Sequence, residues 1–181
     1  ADAALLARVL SAEVADTAGS TDDIVFGAGA WLEVASRATL TAGDHITIDP
    51  TALLAAGTET AAGRIALVLD AAETDPDPGQ GVALDFSGAA FVSLHGSPLV
   101  IQVLTGADAD AFTVTELFGT ETVLEIVAGA GDDSFALGGA AHRLEWLEGS
   151  ILFDGGVGTD SIRVDNSAGG VGVDTGMLWL D

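Results

Sequence analysis

The sequence predicts an all-β chain wound as a parallel β-helix with rungs of 23–27 residues. Three observations lead there. From Gly19 onward the chain is a succession of short apolar or alternating runs bounded by Gly, Asp, Ser or Thr, which is how strands separated by turns read. Three stretches, Gly106–Phe112, Gly129–Phe135 and Gly156–Ile162, share one pattern: Gly, any residue, Gly or Asp, any residue, Asp, any residue, large apolar. Their aspartates, Asp110, Asp133 and Asp160, lie 23 and 27 residues apart, with about three strand-like runs per interval. A period in the twenties built from short strands is the mark of a solenoid. A β-sandwich also holds many short strands, but its loops have no reason to repeat one sequence in phase.

Residues 1–18 read as a cap, a linker or a short helix, because Leu5, Leu6, Val9 and Leu10 fall on one helical face between Ala3 and Val14. Residues 19–181 read as a single β-helix domain, with no linker long enough to divide them. In its first part strands are expected at Ile24–Phe26, Trp31–Val34, Ala38–Leu40, Ile46–Ile48 and Ile65–Leu69. Pro50–Ala56 looks like a helical turn opened by proline. Residues 71–81 are turn chemistry throughout and predict an exposed loop insertion. Beyond it strands are expected at Val82–Phe86, Phe91–Leu94, Leu99–Leu104, Phe112–Val114, Thr122–Val127 and Ser134–Leu137. The series ends with Leu144–Leu147, Ile151–Phe153, Ser161–Val164 and Met177–Leu180. Stacked coils would ladder Val, Ile, Leu and Phe inward and place Gly and Asp at the corners. A degraded fourth copy of the loop occupies Gly19–Val25. Gly169–Gly176 has glycine where the apolar residue belongs and reads as loop composition.

Composition narrows the function. The 181 residues are 49% apolar, enough for a core despite a net charge of -23. The 28 acidic residues face five basic ones, all arginine, so phosphate-bearing nucleic acid and anionic membranes would be repelled. Absence of cysteine removes disulfides and thiolate metal sites. No apolar run approaches the ~20 residues of a membrane span, and no intact signal peptide is visible at the N-terminus.

Stacking the repeated loops sets their aspartates about 5 Å apart, where two carboxylates repel by about 1 kcal/mol in water and about 3.5 kcal/mol at an effective dielectric of 20. Ca²⁺, which takes six to eight oxygens in loose geometry, would relieve this better than Mg²⁺. The expected ligands are Asp108, Asp110, Gly131, Asp132, Asp133, Gly156, Gly158 and Asp160. The same residues also read as plain turn formers whose carboxylates cap backbone amides.

The nonamer Gly155–Arg163 (Gly-Gly-Val-Gly-Thr-Asp-Ser-Ile-Arg) resembles the RTX calcium-binding repeats of secreted bacterial proteins at every position. Ala128–Ala136 and Thr105–Thr113 depart at the first glycine, and the latter carries Asp108 for the second. RTX rolls repeat every nine residues, whereas here one copy recurs about every 25. The longer stretch Asp154–Leu178 is similar to repeat units of very large, filamentous adhesin-like bacterial surface proteins. The resemblance implies an extracellular or cell-surface β-solenoid of bacterial origin, stabilised by Ca²⁺.

No Gly-x-Ser-x-Gly elbow, His-Glu-x-x-His pair or phosphate-loop lysine is present. His45, His95 and His142 have no partner at ligand spacing. Asp44, Asp49, Asp70 and Asp85 would have to cluster for a polysaccharide lyase or hydrolase. Trp31, Trp146 and Trp179 read as core or capping residues before sugar platforms, with Leu144 and Trp146 on one face of an alternating run. The expected protein is therefore no enzyme. It is a structural segment of a surface fibre, filament or layer that self-associates end to end, or else an adhesin module binding a glycan or surface protein.

Overall fold

The computed structural model describes residues 4–13, 22–49, 51–58, 61–69, 83–87, 91–93, 97–138 and 144–167. The first half of the chain contains β1 (Ala4–Glu13), β2 (Ile24–Phe26), β3 (Trp31–Ala42), β4 (Ile46–Ile48), β5 (Leu53–Ala56) and β6 (Gly63–Leu69). Then come β7 (Ala83–Ser87), β8 (Phe91–Ser93), β9 (Leu99–Leu104), β10 (Ala111–Glu116), β11 (Thr122–Val127), β12 (Ser134–Gly138), β13 (Ser150–Asp154) and β14 (Ser161–Asp165). Every ladder between these strands is parallel. Such pairing is compatible with a parallel β-helix and departs from the antiparallel pairing of a sandwich.

One sheet runs β1, β3, β6, β9, β11, β13. A second runs β7, β10, β12, β14, and the pair β2–β4 holds the same place in chain order in the first coils. The long strand β3 serves two faces. Its residues Trp31–Val34 pair with β5, and Arg37–Ala42 pair with β6. Three strand positions therefore recur along the chain, as in the coils of a parallel β-helix, the third being β5, then β8, then an isolated bridge between Leu117 and Leu147.

Period-two alternation places one column of side chains inside. Across the first sheet Ala38, Ile65, Ile101, Leu124 and Ile151 occupy one register line, and Leu40, Leu67, Val103, Ile126 and Phe153 the next. All except Ile151 and Phe153 are buried, and those two pack against the same core. The second sheet contributes Phe112 and Phe135 in register. Phe135 stacks on Phe153 at 4.8 Å between ring centroids, and Phe112 meets Phe153 edge-on at 6.1 Å. Outside, Arg64 donates to Gln102, and Gln102 donates to Glu125, each at 3.2 Å, forming a polar rail across β6, β9 and β11.

Three expectations change. The N-terminal helix is a strand: β1 pairs with β3 from Ala4↔Trp31 to Glu13↔Thr41, with a bulge between Ala7 and Val9. At its far end Leu10 and Ala12 pack on the core while Ser11 is exposed, a period of two that the parallel edge of β3 imposes over local propensity. The helical turn expected at Pro50–Ala56 is instead β5 after Thr51 and Ala52, paired on both edges by β3 and β8. The strand expected at Leu144–Leu147 is a 3₁₀ turn, Leu144–Trp146, with only Leu147 bridged. The predicted loop 71–81 and strand Met177–Leu180, together with Asp70, His95, His142 and Trp179, lie outside the described residues. No helix among the described residues is long and apolar enough to cross a membrane.

Candidate functional site

The unequal steps of the repeat leave its loops in register. From the last residue of β9, β11 and β13 to Asp110, Asp133 and Asp160 the chain always advances six residues. The four extra residues of the second step all fall in the return from β12 to β13, since Thr122 lies 12 residues after Asp110 and its equivalent, Gly149, lies 16 after Asp133. Ala111 therefore pairs with Ser134, and Ser134 with Ser161. The three loops form one stacked corner.

The glycines make that stacking possible. Gly129 and Gly156 have φ of 89° and 78°, and Gly131 and Gly158 have φ of 141° and 154°. A Cβ on Gly156 would sit 1.9 Å from the carbonyl oxygen of Gly129, and one on Gly158 would sit 1.6 Å from that of Gly131. Both distances lie far inside contact. The backbones can thus exchange hydrogen bonds, with Val157 N–H donating to Gly129 O at 2.9 Å and Gly131 N–H to Val157 O at 2.8 Å. Ala130 N–H donates to Gly106 O in the same manner at 3.0 Å.

The aspartates act across coils. Asp133 Oδ1 accepts the backbone N–H of Asp110 at 2.8 Å, and Asp160 Oδ1 accepts that of Asp133 at 3.0 Å. Asp132 Oδ1 works in the opposite direction, accepting the N–H of Thr159 at 2.8 Å. Asp110 and Asp133 are buried at 3% and 1% exposure, while Asp132 and Asp160 are exposed and Asp108 is half-buried. Burial raises the carboxyl pKa of Asp133 above its ordinary value; the hydrogen bond from Asp110 opposes this, and the charges of Asp160 and Asp132 add to it. Its second oxygen, Oδ2, is buried without a hydrogen-bond partner.

The expected ligands are brought together as stacked loops in which one oxygen of each of three carboxylates is engaged by a backbone amide. Ca²⁺ needs six to eight converging oxygens. Here Oδ1 of Asp132, Asp133 and Asp160 each accept a backbone amide. The carbonyls of Gly106, Gly129, Asp110, Asp133 and Val157 accept N–H groups of the neighbouring coil. Among the described residues no three His, Cys, Asp or Glu side chains are grouped as a metal would require.

A second copy of the cap went unseen in the sequence. Asp22 N–H donates to Asp44 Oδ2 at 2.6 Å, between the coils of β2 and β4. Asp22 belongs to the degraded repeat, but Asp44 has no Gly-x-Gly before it. The shared signal is shorter, an aspartate two residues ahead of an inward apolar side chain (Ile24, Ile46, Phe112, Phe135, Ile162).

Asp44 and Asp49 do not converge on a catalytic centre. They flank β4 at its two ends, about 16 Å apart along an extended strand. Asp49 Oδ1 accepts both the N–H and the hydroxyl of Thr51, and these bonds hold its carboxyl below the usual range. The same Asp-x-Ser/Thr turn recurs at Asp165 and Ser167, with the same direction of shift. Of the other candidates, the side chain of Asp85 is not described, and His45 is exposed with Nδ1 3.3 Å from Asp23 Oδ1. Trp31 is 49% exposed and Trp146 36%, so neither is a core residue.

No protein-family model, curated protein or solved structure matches the chain.

Proposed function

We propose that the chain is a structural segment, a parallel β-solenoid that forms part of a bacterial surface fibre, filament or layer and joins or presents other parts. The observation that carries this reading is the unbroken run of parallel ladders from β1 to β13; Asp44 and Asp49, two of the four residues that a catalytic reading would use, are engaged in a corner and a turn of that frame. The extracellular bacterial setting rests on the RTX-like and adhesin-like resemblance. Among the described residues β1 pairs with β3 alone and β14 with β12 alone, and strand edges of this kind favour end-to-end pairing with another copy. The reading assigns no catalytic role and does not need calcium.

Electron microscopy and light scattering over a concentration series, with calcium and with chelator, test it. Filaments or arrays that grow with concentration are the expected result. Monomers throughout, in both conditions, would overturn the assembly reading.

One observation favours a second reading as an adhesin module. Trp31 and Leu53 are register neighbours on β3 and β5, and they remain 49% and 44% exposed. Glycan-array binding by a monomer, lost in Trp31→Ala, would support it over assembly.

A further inference from the structure

We infer that the aspartate heading each corner strand is a backbone cap for the preceding coil rather than a calcium ligand, so that this chain's RTX-like pattern closes its corners without metal. Three bonds share one geometry: Asp22 N–H to Asp44, Asp110 N–H to Asp133, and Asp133 N–H to Asp160. In each, the donor is the aspartate of one coil and the acceptor is the carboxylate of the aspartate one coil later. The first of them lies where the calcium-type glycine frame is missing, so the cap and the frame are separable features. At the C-terminal corners they coincide for a different reason. The glycines let the loop backbones approach to hydrogen-bonding distance, and that approach brings each amide to the carboxylate of the next coil.

The chemistry of a cap differs from that of a ligand in what it asks of the side chain. A cap needs one acceptor oxygen facing an N–H, and asparagine supplies it. A Ca²⁺ site needs negative charge, which asparagine removes. Asp133, at 1% exposure, bears a charge that burial disfavours, so its amide variant retains the bond and exchanges the buried charge for a neutral NH2 in the buried place of Oδ2. An alanine there strands the buried amide of Asp110, which is the expensive outcome.

The test is a set of thermal melts on the full chain, in millimolar calcium and in chelator, for Asp133→Asn, Asp133→Ala, Asp44→Asn and Asp44→Ala. The cap predicts that both Asn variants melt close to the parent and both Ala variants several degrees lower, all unmoved by calcium. A calcium-induced rise in the parent that disappears in both Asp133 variants but persists in both Asp44 variants would overturn it. Should Asp133→Ala fail to fold, hydrogen exchange at the Asp110 amide of the parent decides. Slow exchange in chelator supports the cap, and exchange that becomes slow only with calcium overturns it. This outcome is independent of whether the chain assembles, which the scattering experiment reads separately.

Discussion

Gly156→Ala measures how much the stacked corner contributes, provided it is compared with Gly29→Ala. The two glycines have nearly the same φ, 78° and 70°. Each alanine therefore incurs the left-handed penalty of about 1–2 kcal/mol, and each gains similarly from a stiffer unfolded chain. Their surroundings differ. A Cβ on Gly29 meets nothing within 4 Å, whereas one on Gly156 falls 1.9 Å from Gly129 O. To relieve that clash the last loop must lift from its neighbour, losing the bond from Val157 N–H to Gly129 O and the bond from Gly131 N–H to Val157 O. Two backbone hydrogen bonds at about 0.5–1.5 kcal/mol each put the excess of Gly156→Ala over Gly29→Ala at about 1–3 kcal/mol. At roughly 2–4 °C per kcal/mol for a chain of this size, the excess is a further ~2–12 °C of lost melting temperature. Urea and thermal denaturation followed by circular dichroism read it directly. Equal destabilisation by the two variants would refute the argument, since it would mean that the loops do not approach as described.

Three other outcomes are expected. Asp133 has a folded-state pKa above its ordinary value, so the native state holds this proton more tightly than the unfolded chain; stability from this group rises as pH falls through the raised value and levels off below about 3.8. Denaturation midpoints of the parent minus those of Asp133→Asn, taken from neutral pH downward, should climb toward acid, and a flat or falling difference would contradict it. Asp49 has the opposite sign. Its lowered pKa gives stability present above the ordinary value and lost as pH falls through the folded one, so parent minus Asp49→Ala should shrink in acid. Ile101 is fully buried in the inward column, and Ile101→Ala should cost about 2–5 kcal/mol in urea denaturation, as expected when a core side chain leaves a cavity.

The strands were legible in the sequence because alternation and turn chemistry are local. Ile24–Phe26, Ile46–Ile48, Leu99–Leu104 and Thr122–Val127 lie where that pattern puts them. What it missed depends on partners distant along the chain. Leu5, Leu6, Val9 and Leu10 are spaced as a helix face, and it is the pairing with β3, some 27 residues on, that draws them into a strand. Trp31–Val34 and Ala38–Leu40 were separable in sequence, but the chain turns a corner there without leaving extended geometry, so they join as β3. Leu53–Ala56 likewise becomes a strand by lying between β3 and β8. At the corner, the repeat revealed which aspartates stack, but a carboxylate's direction is a three-dimensional property. Asp44 shows the limit best: nothing in Gly43–Ile46 resembles a metal loop, yet its carboxylate makes the same bond as that of Asp133.

In the last three coils the constant six-residue corner and the variable return divide the coil into two sides with different histories open to them. On the corner side, one inserted residue would displace an aspartate from the amide it meets and a glycine from the carbonyl it clears, and the error would pass to both neighbouring coils. On the return side, four additional residues between β12 and β13 are accommodated with Leu147 still bridged to Leu117 and β13 still in register with β11. In these last three coils, length drift, grafted peptides and new surface loops are thus admitted along the return and refused along the glycine-framed corner, whereas in the first coils the corner itself varies, Asp22 and Asp44 following the register partners Glu13 and Thr41 by nine and three residues. Coils built this way can diversify their exterior on one side while the stacked corner on the other keeps their loops in register.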